Sequence, residues 1–194
     1  MQKESRDKVL AASNKYLHGY VVELAKVHLE SYPKDAIVWI EFARALSLLS
    51  RYDEAETAFD NAFAYALEIL REIIFTERVF MYQRQGNYLE AEKWCRKALE
   101  ANPDYAGYYV LLGVVLFRRG DLVLAEHVLR QGILCTGECV DESYLNLGGV
   151  LVAQARYEAA AECYQKAIEL DPEYKLAKLR LRDVKKIIKI KPKS

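Results

Sequence analysis

The stretch YLNLGGVLVAQARYEAAAECYQKAIELDPEY, from Tyr144 to Tyr174, decides the fold that we predict for the chain. Apolar residues recur in it three and four positions apart, which is the spacing of amphipathic helices. Ala155-Arg156 interrupts this pattern. Asp171-Pro172 ends it, because proline disfavours helix at the residue before it and lacks an amide donor. The stretch therefore predicts two helices joined by a short turn.

The same pattern occurs in four segments of the chain. The segments begin at Ala36, Glu72, Ala106 and Asp141, so their starts lie 36, 34 and 35 residues apart. Self-similarity with a period near 34 residues is typical of stacked helix–turn–helix units. We therefore predict four repeats, at residues 36–71, 72–105, 106–140 and 141–174.

Small residues occupy the positions at which the predicted helices must approach closely. They lie on the first helices at Ala43, Gly113 and Gly148, and on the second helices at Ala55, Ala91, Ala125 and Ala160. Glycine inside a helix costs about 1 kcal/mol relative to alanine. Its presence there indicates that a neighbouring helix contacts the backbone.

Turn residues mark the break between the two helices of a repeat. Gly86 and Gly120 can adopt the left-handed conformation that ends a helix, and Asn87 and Asp121 after them are predicted to cap the next one. The first repeat has Ala66-Leu67 where a closing Asp-Pro is expected. We therefore expect its second helix to continue beyond this point.

These features resemble the tetratricopeptide repeat family. The last segment carries most of its motif, at Tyr144, Leu147-Gly148, Leu151, Ala160, Tyr164, Ala167 and Pro172. Two segments depart from it, with Arg78-Val79 in place of Leu-Gly and Thr136-Gly137 in place of the closing proline. The resemblance implies an all-α fold, a right-handed superhelical solenoid of helix–turn–helix repeats whose first helices line a concave groove.

The two ends of the chain follow the repeat pattern less closely. We predict that residues 1–35 form a degenerate N-terminal repeat, with a loosely ordered helix pair as the alternative. Residues 175–194 hold nine Lys and Arg against the single acid Asp183, leaving 19 basic and 27 acidic residues elsewhere, a net charge of −8. This segment is amphipathic, and we expect a C-terminal capping helix. Its basic face could also contact an anionic membrane or an acidic protein.

Composition favours a cytoplasmic protein without a membrane span. The start is charged and lacks the apolar core of a secretion signal. The longest apolar run, from Val110 to Phe117, is too short to cross a bilayer. Four cysteines are few for a disulfide framework, so reduced thiols are expected.

The resemblance predicts the residues that face the groove. Those proposed to contact a partner are Arg44, Phe80, Arg84, Val110, Val114, Phe117, Arg118, Leu145, Asn146 and Val152. The second half of this set is mostly apolar, and we predict that it grips an amphipathic helix or an extended apolar segment. The alternative is that the chain itself or a second copy covers it. A clamp for acidic chaperone tails is not expected, because its positions hold residues such as Ile40, Glu77 and Leu111.

The favoured function is a non-catalytic scaffold that binds a protein or peptide. A secretion-system chaperone holding an apolar client segment and a regulatory subunit of an enzyme complex are the alternatives, and a homo-oligomer stays open. His18, His28 and His127 are scattered and have no nucleophile or acid pair beside them in the sequence. No small-molecule substrate, cofactor or metal is expected. Aromatic–basic interleaving is missing, which argues against nucleic acid.

Overall fold

Residues 1–190 are described by a computed structural model, in which they form eleven α-helices and no β-strand. The last four residues of the predicted basic segment, 191–194, lie outside the described residues. The helices are α1 Gln2–Asn14, α2 His18–Ser31, α3 Ala36–Leu48, α4 Tyr52–Tyr65, α5 Glu68–Gln85, α6 Tyr88–Ala101, α7 Ala106–Arg119, α8 Leu122–Leu134, α9 Val140–Ala153, α10 Tyr157–Leu170 and α11 Lys175–Ile190. None of these helices combines the length and apolar character needed to span a membrane.

The chain divides into two compact units, Met1–Trp94 and Cys95 onward. In the first unit, α1 packs on α2 and α3 on α4, and the first helices α1, α3 and α5 contact one another in sequence. In the second unit, α7 packs on α8 and α9 on α10, and the first helices α7 and α9 are neighbours. The predicted all-α architecture of helix pairs is therefore confirmed within each unit.

A left-handed residue separates the two helices of every pair. It is glycine at Gly86 and Gly120, but Tyr16, Ser50 and Ala155 also have φ between 57° and 60°. In each pair the next amide donates to the carbonyl five residues earlier, as from Arg156 to Leu151 at 2.9 Å. This hydrogen bond satisfies a carbonyl at the helix end.

The predicted caps behave differently from one another. Asn87 Oδ1 accepts a hydrogen bond from the Glu90 amide at 3.2 Å, as expected for a capping residue. Asp121 makes no such bond, and its carboxylate pairs with Arg119 instead. The prediction of a cap at Asp121 is wrong because the nearby guanidinium attracts the carboxylate away from the helix amides.

The first repeat ends differently from the sequence prediction. Helix α4 stops at Tyr65, and Ala66 and Leu67 are extended, with ψ of 135° and 158°. Helix α5 then begins at Glu68 and reaches 18 residues. The expectation that α4 continues is wrong, since the extra helical turn belongs to the start of α5. Asp171-Pro172 follows the end of α10, as predicted, and Asn102-Pro103 follows the end of α6 in the same way.

The small residues lie at helix contacts. Ala43, Ala55, Ala91, Ala125 and Ala160 are fully buried. A β-carbon added at Gly113 would lie 2.5 Å from Leu129 Cγ, and one at Gly148 would overlap the Tyr164 ring. The larger buried side chains around them include Leu46, Phe59 and Ile74 in the first unit and Leu112, Leu129 and Leu147 in the second. The small residues thus allow α7 to approach α8, and α9 to approach α10.

The chain ends are also helical. Helices α1 and α2 pack on each other and on α3, and they bury Val9, Val21 and Ala25. Whether this pair is a degenerate repeat stays a prediction. Helix α11 packs on α10 through Ala177, Leu181 and Val184, while the side chains of Lys178 and Lys186 point into solvent.

Candidate functional site

A groove of about 450 Å³ opens in the second unit between α7, α9 and α11. Its size lies within the range of about 300–1,000 Å³ that is usual for ligand sites. Helices α7 and α9 are the first helices of their pairs, and α11 takes the place that the next first helix would occupy. Leu129 of α8 and Tyr164 of α10 form its floor.

The groove is lined mainly by apolar side chains. Val114 and Phe117 come from α7, Leu145 and Val152 from α9, and Ile187 from α11. Phe117 is 38% exposed and Ile187 39%, so large apolar surfaces stay in contact with water. A contiguous apolar surface of this kind is typical of a site that binds another chain.

Glycines of α9 have two different roles at this site. Gly148 faces α10, and its missing side chain leaves room for the Tyr164 ring. Gly149 lines the groove and has no neighbouring atom within 4 Å of the position a β-carbon would take. The close helix contact and the open groove therefore depend on adjacent residues. Burial of Tyr164 raises the pKa of its phenol.

Helix α11 is the part of the groove that sequence reasoning missed. The sequence indicated a helix that caps the last repeat, whereas Leu176, Arg180 and Ile187 of this helix line the groove. The signal was present in the apolar periodicity of residues 175–190, whose stripe is too wide for one contact surface. Ala177, Leu181 and Val184 are buried, and the remaining apolar side chains of the stripe are partly exposed.

Two arginines carry the positive charge of the groove. Arg118 of α7 and Arg180 of α11 both line it, and neither forms an ion pair with any residue in 1–190. Other arginines of the second unit are paired, including Arg119 with Asp121, Arg130 and Arg156 with Glu126, and Arg182 with Asp183. Asp183, the groove's carboxylate, lies 3.4 Å from Arg182 and 3.7 Å from Lys186.

The structure brings six of the ten predicted contact residues together in this groove. They are Val114, Phe117, Arg118, Leu145, Asn146 and Val152. Val110 does not line the groove, because its side chain turns into the second unit and is only 9% exposed. Arg44, Phe80 and Arg84 belong to the first unit and form a separate surface.

The first-unit surface is polar, and most of its charged groups form ion pairs or hydrogen bonds with other residues of the same chain. The Arg44 guanidinium donates to Glu41 at 2.8 Å and to Glu77 at 2.9 Å, which links α3 to α5. Ser13 of α1 donates to the same Glu41 carboxylate at 2.5 Å. A cation already held by two carboxylates has little attraction left for an acidic ligand.

Arg84 and Phe80 lie on the same first helix, α5. Arg84 donates to Ser47 Oγ at 2.9 Å, and burial lowers the pKa of its guanidinium. Phe80 is 39% exposed. No sequence pattern predicted the contact between Arg84 and Ser47, because α3 and α5 meet only in the folded chain.

Cysteine and acidic side chains form no metal site in the described part of the chain, where no group of three or more His, Cys, Asp or Glu could hold an ion. No disulfide bond joins the four cysteines, all of which lie in the described residues. Burial raises the pKa of Cys163 to about 11, so this thiol is protonated and unreactive near neutral pH. Tyr105 donates to or accepts from Cys139 Sγ at 3.6 Å, a contact that ties α9 to the start of α7.

Comparison with known proteins agrees with these features. Family models of the tetratricopeptide repeat match residues 82–133 and 142–174. Human tetratricopeptide repeat protein 7A is 39% identical over 87 residues, and human protein 7B is 28% identical over 136 residues. These alignments cover 45% and 70% of this chain but only 10% and 16% of the relatives. Residues 82–133 and 142–174 are therefore tetratricopeptide repeats, and the chain is similar to proteins of that family.

Solved structures of low sequence identity share the fold. MamA from Desulfovibrio magneticus RS-1, residues 41 to the end, aligns with a TM-score of 0.70 at 18% identity and covers 90% of this chain and 97% of its own. YrrB, a protein of this family with an unusual peptide-binding site, aligns at 0.61 and 18% identity, covering 87% and 86%. The first repeat domain of Spaghetti (RPAP3), bound to an HSP90 peptide, aligns at 0.55 and 22%, covering 61% and 93%.

Proposed function

We propose that the chain is a non-catalytic interaction module whose second-unit groove binds an apolar peptide segment or an amphipathic helix of another protein. One observation carries this proposal. Val114, Phe117, Leu145 and Val152 share one groove with Ile187 of α11, and Phe117 and Ile187 are each more than a third exposed. When a partner covers apolar side chains that are exposed in a concave site, the free energy of the complex falls, which favours binding.

The fold neighbours support a peptide ligand. YrrB and the RPAP3 domain are described with peptide sites, although their identity to this chain is too low to transfer residues. The RPAP3 ligand is an HSP90 peptide of sequence SRMEEVD, which holds three acidic residues. In the first unit, Arg44 is held by Glu41 and Glu77, and Arg84 is hydrogen-bonded to Ser47, so we do not propose such a ligand.

The test is selection of binders from a library of peptide segments of natural proteins, displayed with both ends fused so that no free terminus is available. We expect binders that lose affinity for a Val114→Asp/Phe117→Asp variant, because two carboxylates in the groove would oppose apolar burial. Direct titration of the selected peptides measures this loss. The double variant should keep the helical circular dichroism of the native chain, since both residues face the groove.

The matched control places the same change outside the groove. Val123→Asp lies on α8, where Val123 is 81% exposed and is not part of the groove lining. We expect this variant to bind every selected peptide like the native chain. If no peptide depends on Val114 and Phe117, the groove is not a binding site. If the native chain sediments as a dimer that the double variant abolishes, a second copy is the occupant.

The two alternative functions predict different states of the protein that the groove binds. A chaperone of a secretion system would hold an unfolded client, so a selected segment should bind only while its parent protein is unfolded. A regulatory subunit would bind a folded enzyme and change its turnover on reconstitution. Binding of each selected segment in its folded and unfolded parent separates these functions.

A second surface supports contact with an anionic partner. Six basic residues on one side of α11 are exposed, at Lys175, Lys178, Arg182, Lys185, Lys186 and Lys189. We propose that this surface adds affinity for acidic membranes. Binding to vesicles of one-third phosphatidylserine should fall as salt is raised and on replacing Lys178, Lys185 and Lys189 by Gln. If vesicle binding does not change, the basic surface of α11 does not bind membranes and α11 only lines the groove.

A further inference from the structure

We infer that the groove selects apolar segments that carry an acidic side chain, bound by Arg118 and Arg180. This inference rests on the proposed function, because it concerns the ligand of the same groove. It assigns Arg180, a residue beyond the last repeat, to ligand recognition. It also gives α11 a role in specificity.

The argument starts from the unpaired guanidiniums. Each guanidinium has five N–H donors, and a ligand that covers the groove removes water from some of them. Leaving such donors without acceptors costs about 1–3 kcal/mol, and more for a charged group. Arg118 and Arg180 have no ion-pair partner within residues 1–190. A stable ligand therefore has to supply acceptors of its own.

The net charge of the groove favours a carboxylate over a neutral acceptor. Asp183 is the acidic residue of the lining, and it lies within ion-pair distance of Arg182 and Lys186 on its own helix. Its charge is therefore offset outside the groove, and Arg118 and Arg180 leave a positive potential inside. A carboxylate accepts charge-assisted hydrogen bonds from guanidinium that are roughly twice as strong as neutral ones.

The position of Arg180 points to a side chain within the segment and not to its free end. Along α11 the groove runs from Leu176 to Ile187, a distance of about 16 Å at 1.5 Å per residue. Arg180 lies one turn after Leu176 and about two turns before Ile187. Apolar contacts are thus available on both sides of the guanidinium, so the bound segment continues past it in both directions.

The experiment uses the peptides selected against the full chain, made about 12 residues long with acetylated and amidated ends. We expect them to combine apolar residues with Asp or Glu. Changing that residue to Asn or Gln should weaken binding to the native chain about three- to tenfold. On an Arg118→Gln/Arg180→Gln variant, the acidic peptide and its amide form should bind equally.

The matched control is Arg130→Gln, which removes one positive charge from α8 outside the groove lining. It should keep the full preference for the acidic peptide. A native chain that binds the acid and amide forms equally would overturn the inference and leave the proposed function intact. So would an arginine variant that keeps the preference. If no selected peptide depends on Val114 and Phe117, both the inference and the proposed function are overturned. Unchanged thermal unfolding of the arginine variant confirms that it is folded.

Discussion

Glycine and alanine at corresponding positions of the repeats set how closely neighbouring helices approach. Gly113 and Gly148 leave space for Leu129 and Tyr164, which would otherwise meet a β-carbon. The cost of glycine in a helix is about 1 kcal/mol, and the burial of a large partner offsets it. Gly149 is different, because nothing occupies the space where its side chain would be.

Two adjacent glycines of α9 therefore predict opposite effects on stability. In Gly148→Ala the new β-carbon would lie 2.8 Å from Cδ1 and 2.9 Å from Cζ of Tyr164, so we expect unfolding to become easier by about 1–3 kcal/mol. Gly149→Ala should stabilise the chain by up to about 1 kcal/mol. Urea unfolding measures both. Equal effects would show that α9 and α10 do not make the described close contact.

At the scale of the helix, Arg78 explains how one repeat replaces the Leu-Gly pair. Its side chain is 3% exposed and ion-paired with Glu56 and Asp60 of α4. The guanidinium carbon lies 4.2 Å from the Trp94 ring centroid and 5.6 Å from that of Phe59. Arginine thus fills a leucine position with its stem and its planar head. Nε of Arg78 has no hydrogen-bond partner, which reduces the net gain.

We expect the packing of Arg78 to matter more than its charge. Arg78→Ala should cost about 2–4 kcal/mol, because it leaves a cavity beside Trp94. Arg78→Leu should stay within about 1 kcal/mol of the native chain, since leucine keeps the apolar contacts. Glu56 and Asp60 are 42% and 71% exposed, so water can solvate their carboxylates once the guanidinium is gone. Urea unfolding of the two variants separates these contributions. If leucine costs as much as alanine, the ion pairs carry the stability.

The helix ends allow a second test at this scale. Ala155 and Gly120 occupy the same left-handed position, with φ of 60° and 94°. Alanine is strained there by roughly 1–2 kcal/mol, whereas glycine is not. We therefore expect Ala155→Gly to raise the free energy of unfolding by about 1 kcal/mol and Gly120→Ala to lower it by a similar amount. Shifts of the same sign would contradict the described turn geometry.

At the scale of the whole molecule, contacts concentrate within two units. Each helix pair contacts mainly its sequence neighbours, and the stability of such repeat proteins is approximately a sum of local terms. The groove belongs to the second unit, between α7, α9 and α11. A change in the core of this unit should consequently affect the groove before it affects α1–α3.

Hydrogen exchange tests this locality. Leu147 is fully buried in α9, so Leu147→Ala should cost about 2–5 kcal/mol and speed amide exchange in α8, α9 and α10. The amides of α1, α2 and α3 should exchange at their native rates. Faster exchange along the entire chain would show that the molecule unfolds as one cooperative unit.

The amino-acid sequence by itself determined the helices and most of the places where they end. Apolar residues three and four apart, the small residues of each repeat, and the prolines after α6 and α10 are local features, so they can be read without the fold. The family resemblance predicted that Val114, Phe117 and Leu145 face the groove, and all three line it. The end of α4 and the cap at Asp121 were predicted wrongly. At Asp121, the pairing of the carboxylate with Arg119 decided the outcome.

Only the tertiary structure decided which charges stay unpaired and which helix completes the groove. Arg44 is neutralised by Glu77 of the next first helix, whereas Arg118 and Arg180 face a common space without a carboxylate partner in the described chain. Arg118 and Arg180 lie far apart in the sequence, and no local pattern relates them. Ion pairing depends on distances between atoms of different helices, and packing alone sets those distances.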